Sequence, residues 1–435
     1  MNVIYIHTHD TGRYISPYGY NSPTPSLQSF AEDAITFKNM HCVCPTCSPS
    51  RSALLTGRYP HNNGMLGLAH MKFNLNNYDE HLSAHMRGHG YTTVLCGVQH
   101  ETSNLDDLSY DEILTKNLPG YTNIGFKSWD LRNSRIVCDY IKNYNSNKPL
   151  YLSFGMVNTH RPFIEAEIDE RYVCPPVHIP DTAENRKDYA MLLTGVKVVD
   201  ECFKNILESL KEKGMYDDSL ILFTTDHGIA YPHMKCNLTD WGTGVSFILR
   251  VPDGKKGVVC DEMLSQLDFM PTLFDILEWK KPDYFQGKSF KNLLYNDDVD
   301  NIPIHEEIYG EVTFHAGYQP MRSVREHRFK YIVHFDAGEV IPVNIDAGIA
   351  KDFVQRYGLF GRLPCTEYLY DLMLDPCEKI NLAKVEKYNT EIIRLRKKLL
   401  KHMQDTDDIL LKGINEIHGK PIWNKDGTGY DERFA

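Results

Sequence analysis

Five short stretches of this 435-residue chain carry residue types that could do chemistry together. His9 and Asp10 lie in His7-Thr8-His9-Asp10-Thr11-Gly12, and Asp226-His227-Gly228 closes an apolar run. His100 ends Gly97-Val98-Gln99-His100, and His160 lies in Asn158-Thr159-His160-Arg161-Pro162. Cys47 opens Cys47-Ser48-Pro49-Ser50-Arg51, followed by Leu55-Thr56-Gly57-Arg58. Asp10 and Asp226, with His227 and His9, make a donor set for one divalent cation. Two carboxylates and one or two imidazoles are softer than an oxygen-rich calcium site, so manganese or zinc compete with calcium. Cys47 stands just before a helix expected to begin near Pro49. A helix N-terminus favours an anionic nucleophile and a bound anion. Arg51 lies one turn into that helix. A rival chemistry is open at the same place: Cys42, Cys44 and Cys47 are spaced C-x-C-x-x-C, as metal thiolates can be. No further Cys or His follows at structural-zinc spacing, although His41 adjoins.

The elements that must position these residues can be read from hydrophobic periodicity. Val3–Ile6, Thr92–Leu95, Leu150–Val157, Leu220–Thr225 and Ser246–Val251 read as buried strands. Leu192, Val196, Val199, Phe203, Ile206 and Leu210 alternate steps of four and three, the apolar face of a long helix. Strands alternating with helices predict an α/β fold with a large, mostly parallel central sheet flanked by helices. Ligands of such sheets gather at the strands' carboxyl ends, which is where the histidines and aspartates fall. Beyond residue ~290 the texture changes. Asn296–Asn301 is polar and acidic, suited to a connection. Tyr309–Val312, Met321–Val324, Phe329–Val333 and Tyr368–Leu372 read as short strands, and residues 386–404 as a basic amphipathic helix. The expected organisation is a catalytic α/β domain over 1–295, a smaller α+β domain over 305–411 and a tail over 412–435.

Composition excludes several classes. Hydrophobic residues at 42% and charged residues at 24% describe an ordinary globular chain. The net charge of −11 argues against nucleic-acid binding and against docking on anionic membranes. No apolar run reaches the ~18 residues of a membrane span. No basic and apolar leader precedes the first strand, and eleven cysteines are too sparse for a disulfide scaffold. A cytoplasmic protein with reduced thiols is the expectation.

The Cys47–Arg51 and Thr56-Gly57-Arg58 motifs resemble the signature of the type I sulfatases, members of the alkaline phosphatase superfamily. Further stretches look most like the heparan N-sulfatase (sulfamidase) branch: Asn63–Leu68, Trp241-Gly242-Thr243, Glu311-Val312-Thr313, Pro320–Val324, and Tyr370-Asp371-Leu372 with Asp375–Ala383. The resemblance implies that Cys47 is oxidised to formylglycine by a maturase and that its aldehyde hydrate attacks sulfur. It implies that Arg51 stabilises the ionised hydrate, that His160 is the leaving-group acid, and that His100 takes a proton as the sulfated intermediate collapses. Lys235 would bind the sulfuryl oxygens. Asp10, Asp226, His227, His9 and residue 47 would hold one divalent metal, calcium by family habit. Glu311 and Arg322 would reach the substrate from the second domain. The sequence departs from the family pattern at His9, where an Asp is usual, and at Val98, where G-K-x-H carries a sulfate-binding lysine. Gln99 or His100 is expected to fill part of that gap. The implied activity is removal of sulfate from a small sulfated sugar or chain end, N-sulfoglucosamine among the candidates; a homo-oligomer is compatible with it. A formylglycine-dependent phosphonate monoester or phosphodiester hydrolase is the alternative, and a non-catalytic sugar-binding relative a third reading.

Overall fold

The computed structural model describes residues 1–295, 303–335, 340–359 and 365–412. The connection expected at Asn296–Asn301 and the tail beyond residue 412 lie outside the described residues. The first part of the chain supplies β1 (Asn2–Thr8), β2 (Ile35–Phe37), β3 (Met40–His41), β4 (Thr92–Gly97), β5 (Glu112–Ile113), β6 (Leu150–Gly155), β7 (Ser219–Thr225), β8 (Phe247–Arg250), β9 (Val258–Cys260) and β10 (Leu264–Ser265). Eight of these form one sheet in the order β5-β4-β6-β1-β7-β8-β2-β9. β5, β4, β6, β1 and β7 run parallel. β8 is antiparallel to β7 and to β2, so the sheet is mixed on that side.

The central strands are apolar on both faces because both faces are covered. Ile4, Ile6, Leu152, Phe154, Ile221 and Phe223 pack under the helices Phe126–Asn143 and Ala183–Lys213. The second of these carries the expected stripe and is capped at both ends. The Thr182 side chain accepts from the Asn185 N–H, and Gly214 closes the helix with φ 72°. On the opposite face Val3, Tyr5, Leu95, Leu220 and Leu222 meet Leu54 and Leu55 of the helix Cys47–Thr56.

The later part of the chain supplies β11 (Glu307–Phe314), β12 (Tyr318–Glu326), β13 (Phe329–His334) and β14 (Glu367–Asp371), an antiparallel meander. Its faces alternate with period two. Val324, Tyr331 and Leu369 meet Ile392, Leu395 and Leu399 of the helix Asn389–Asp405. Val312, Met321, Ile332 and Tyr370 face the other way and pack with Val43, Cys44, Ala53, Leu238 and Leu267. A register shift between Val312 and Phe314 sends Phe314 to the helix side, although it shares parity with Val312. The small sheet is thus sandwiched between its own helix and the helix that begins at Cys47.

One segment was not anticipated. The chain between β13 and β14 returns to the first domain, where the helix Ile349–Arg356 lies along Ala183–Lys213 and buries Ala350 in its core.

Candidate active site

β4, β6, β1 and β7 are parallel neighbours, so their carboxyl ends share one edge. The chain leaving them carries His100, His160, His9-Asp10 and Asp226-His227 respectively. Close crossing of these loops depends on glycine. A Cβ at Gly97, where φ is +88°, would stand 2.1 Å from the Gly155 carbonyl oxygen. Asp10 (φ 45°) and His100 (φ 69°) also take left-handed backbone. That conformation costs a non-glycine residue on the order of 1–3 kcal/mol and gathers at functional sites.

Asp226 organises the centre. Its Oδ1 accepts the backbone N–H groups of Asp10 at 2.9 Å and of His227 at 3.0 Å. Its Oδ2 accepts from Arg51 Nη2 at 3.0 Å and lies 3.0 Å from His9 Nδ1. Burial opposes ionisation of Asp226, but His227, Arg51 and His9 outweigh it and hold the carboxyl well below its ordinary range. Arg51 is itself fixed by the Thr8 carbonyl at 2.8 Å and by His7 Nδ1 at 2.5 Å. It therefore reaches residue 47 through charge and the shared Asp226.

Cys47 begins its helix and is 2% exposed. His227 Nε2 lies 3.5 Å from its Sγ, and the His227 ring is oriented by Nδ1, 2.9 Å from the Gly228 carbonyl. Burial favours the neutral thiol. Lys235 and the nearby His100, His160 and His227 override it and hold the thiol well below its usual value. The same surroundings would stabilise an oxyanion at this position. Lys235 Nζ bridges Asp10 Oδ2 at 3.0 Å and Asp346 Oδ2 at 2.9 Å. Burial and the His9 charge push the His100 imidazole down to about 4.

The residues fit a divalent cation. One ligand atom each from His9, Asp10, Cys47 and Asp226 lies within 4.8 Å of the others. His9 Nε2 and Asp10 Oδ1 are buried without a hydrogen bond, and His9 Nδ1 has Asp226 Oδ2 3.0 Å away. Such orphaned donors and acceptors are rare in folded interiors. Burial and Arg51 oppose a proton on His9, yet Asp226 and Asp10 push the ring up to about 10, so the position demands positive charge. His227 Nε2, 3.3 Å from Asp10 Oδ1, stands beside this group. Cys42 and Cys44 stay outside it. Burial pushes both thiols up, and Cys44 Sγ contacts Thr46 Oγ1 at 3.1 Å, which leaves the thiolate-cluster reading without support.

Three expectations need correction. Glu311 and Arg322 are interior residues, both 2% exposed. Glu311 accepts from the His61 backbone N–H at 2.9 Å and contacts its ring, while Arg322 grips Asp408 through Nε at 2.5 Å and Nη2 at 2.9 Å. Glu311 ties the second domain to the first, Arg322 is bound within the second domain, and neither is available to a substrate. Arg322→Ala leaves Asp408 buried without its cation and is expected to cost about 3–5 kcal/mol of stability. Denaturant unfolding measures this; an unchanged midpoint with a raised KM would restore the substrate role. Gln99 does not replace the missing lysine, because its Oε1 accepts from Thr102 N–H at 3.0 Å and its Nε2 donates to the Thr102 carbonyl at 2.7 Å. Val98 is packed with Trp129 and Val157.

Sequence reasoning missed Asp346, His70 and His315. His70 interacts electrostatically with Cys47, His160 and His315, and His315 with Asp346. None lies at a strand's carboxyl end in the large sheet, the signal that picked out the histidines and aspartates of the site.

Residues 1–278 match the family model described as Sulfatase. The chain belongs to the sulfatase family. Residues 235–347 match the model described as N-sulphoglucosamine sulphohydrolase, C-terminal. An ulvan-active sulfatase of Formosa agariphila is 25% identical, the match covering 98% of this chain and 78% of that one. The human N-sulphoglucosamine sulphohydrolase is 26% identical over 88% of this chain and 86% of its own. The fold is shared with a protein solved in complex with its substrate D-glucosamine-2-N,6-O-disulfate (TM-score 0.70, 17% identity, covering 94% and 98% of the two chains). It is shared equally with a phosphonate monoester hydrolase from Silicibacter pomeroyi (TM-score 0.70, 19% identity, 94% and 96%). This sulfatase is of type I, in the sulfamidase-like branch, and its reaction class is hydrolysis of sulfate esters.

Proposed function

We propose that this sulfatase removes sulfate from a sulfated amino sugar at a chain end or in a short oligosaccharide, N-sulfoglucosamine being the preferred candidate. The observation that carries the reading is the convergence of His100, His160, His227 and Lys235 on Cys47 at the start of a helix. Cys47 Sγ marks where the family's formylglycine would present a hydrate oxygen. That group supplies a nucleophile that attacks sulfur and can later release sulfate by C–O cleavage. A divalent ion held by His9, Asp10, Asp226 and residue 47 would supply charge for the sulfuryl oxygens. The remaining steps belong to the side chains. Lys235 offsets charge growing on sulfur's oxygens, and Arg51 offsets charge at residue 47. The Nδ1 of His160 meets the Arg161 carbonyl, which leaves Nε2 to hand a proton to the departing nitrogen or oxygen. His100 takes a proton as sulfate leaves. An amine needs His160 most, since its anion is a very poor leaving group.

The test is a release assay on N-sulfoglucosamine, O-sulfated sugars and phosphodiesters, with protein matured by a co-expressed formylglycine-generating enzyme. Turnover confined to phosphodiesters or phosphonates would replace this reading with the phosphonate hydrolase one, which the valine at position 98 favours. Conversion of Cys47 seen by mass spectrometry would count against a binding module. The net charge of −11 disfavours a long polyanion lying across the surface. Mono- and disaccharides are therefore expected to turn over faster than internal sites of long polymer, which chromatography of digests measures.

A further inference from the structure

A cavity of about 420 Å³ opens beside the two proton carriers, lined by His100, His160, Tyr121, Phe126, Val157 and Arg161 with exposed residues at its mouth. Its size lies within the roughly 300–1,000 Å³ of small-molecule sites. His160 can protonate only an atom it touches, so the group that departs from sulfur must lie where His160 faces open space. The cavity is that space.

The walls say what kind of group fits. Tyr121 and Phe126 stand edge to face, 5.2 Å between ring centroids, and Tyr121 meets Trp129 at 5.6 Å in the same manner. Behind them Val98, Trp129 and Val157 form a buried apolar cluster. Val98 is the position where the family pattern places a lysine, and here it serves as packing under the aromatic wall. Arg161 brings no free charge. Its Nε donates to the Ala230 carbonyl at 2.8 Å, its two Nη groups grip Asp188, and its guanidinium lies 4.0 Å from the Phe163 ring centroid. Among the described lining residues there is no carboxylate and no uncommitted cation.

We infer that Tyr121 and Phe126 determine leaving-group specificity by stacking on the face of a neutral pyranose ring, and that this subsite discriminates against a second anionic group on that ring. The inference rests on the sulfatase reading above. Aromatic faces are electron-rich and meet the C–H face of a sugar favourably, whereas a second sulfate would be desolvated with no cation to meet it.

The test uses the full-length matured enzyme with N-sulfoglucosamine and glucosamine-2-N,6-O-disulfate as probes. Tyr121→Ala and Phe126→Ala are each expected to raise KM for N-sulfoglucosamine about tenfold, with kcat held within about threefold. Tyr121→Phe, which keeps the ring, should restore the wild-type KM. Wild type should favour the monosulfate over the disulfate by about tenfold in kcat/KM, the size of one unmet charge-assisted contact. Thermal melting of each variant separates loss of fold from loss of stacking. Unchanged KM in both alanine variants, or equal handling of the two sugars, overturns the inference while leaving the enzyme a sulfohydrolase. Failure of wild type to release sulfate from either sugar, with phosphodiester turnover intact, overturns the proposed function and the inference together.

Discussion

Cys47→Ala should abolish turnover while leaving the fold intact. Loss of a covalent nucleophile typically costs on the order of 10⁴–10⁶ in rate, and neither neighbouring serine is free to take its place. Ser48 is already bound to the Ala69 N–H at 3.0 Å, and Ser50 to the Asp226 carbonyl and Gln266. The structural cost is small because Cys47 holds nothing together. Arg51 is anchored by His7, Thr8 and Asp226, and the helix is fixed by Leu54 and Leu55 in the core. Removing one sulfur atom costs about 1 kcal/mol, the ordinary effect of a point change. Sulfate release and a melting curve on the same preparation measure both halves. A fully active Cys47→Ala enzyme would falsify the mechanism.

Asp226→Asn is expected to be almost as severe, by a different route. The amide can keep one oxygen toward the Asp10 and His227 N–H groups, but its NH₂ then faces Arg51 and His9, which are donors as well. The site loses a negative charge where His9, Lys235, Arg51 and any bound cation concentrate positive charge. Activity should fall by at least about 10³-fold, as when a principal electrostatic element is removed from a reaction centre. Metal analysis after gentle purification should find one divalent ion per wild-type chain and much less in the variant. The same measurement chooses calcium from manganese or zinc. Chelation should silence the wild type and re-addition restore it. Equal metal content in the two proteins would exclude Asp226 as a ligand.

How much of this was legible beforehand depended on whether a residue's role is set locally. His9, Asp10, His100, His160, Asp226 and His227 follow strands whose apolar runs are unmistakable, and the parallel sheet rule places such residues on one edge. The four strands of the small sheet were legible for the same reason. The register shift after Val312 left no trace in sequence, because an extra residue in a strand does not alter its composition. Asp346 was invisible because it sits in an aperiodic connection, and only the return of that chain to Lys235 gives it meaning. Glu311 and Arg322 were misread since a charged residue on a short strand looks like a surface residue. Their burial is decided by His61, some 250 positions away, and by Asp408, 86 positions away.

The packing of the small sheet on the Cys47 helix bears on how the molecule comes apart. Val312, Met321, Ile332 and Tyr370 share one apolar cluster with Val43, Ala53, Leu238 and Leu267, and the Glu311 N–H donates to the Val43 carbonyl at 2.7 Å. A fragment ending before β11 would leave that cluster's other half bare to water, next to the nucleophile's own helix. Bare apolar surface of this kind invites association. The two sheets are separate in topology but joined in cooperativity: they should melt in a single calorimetric transition, with no intermediate in which the catalytic sheet stands alone.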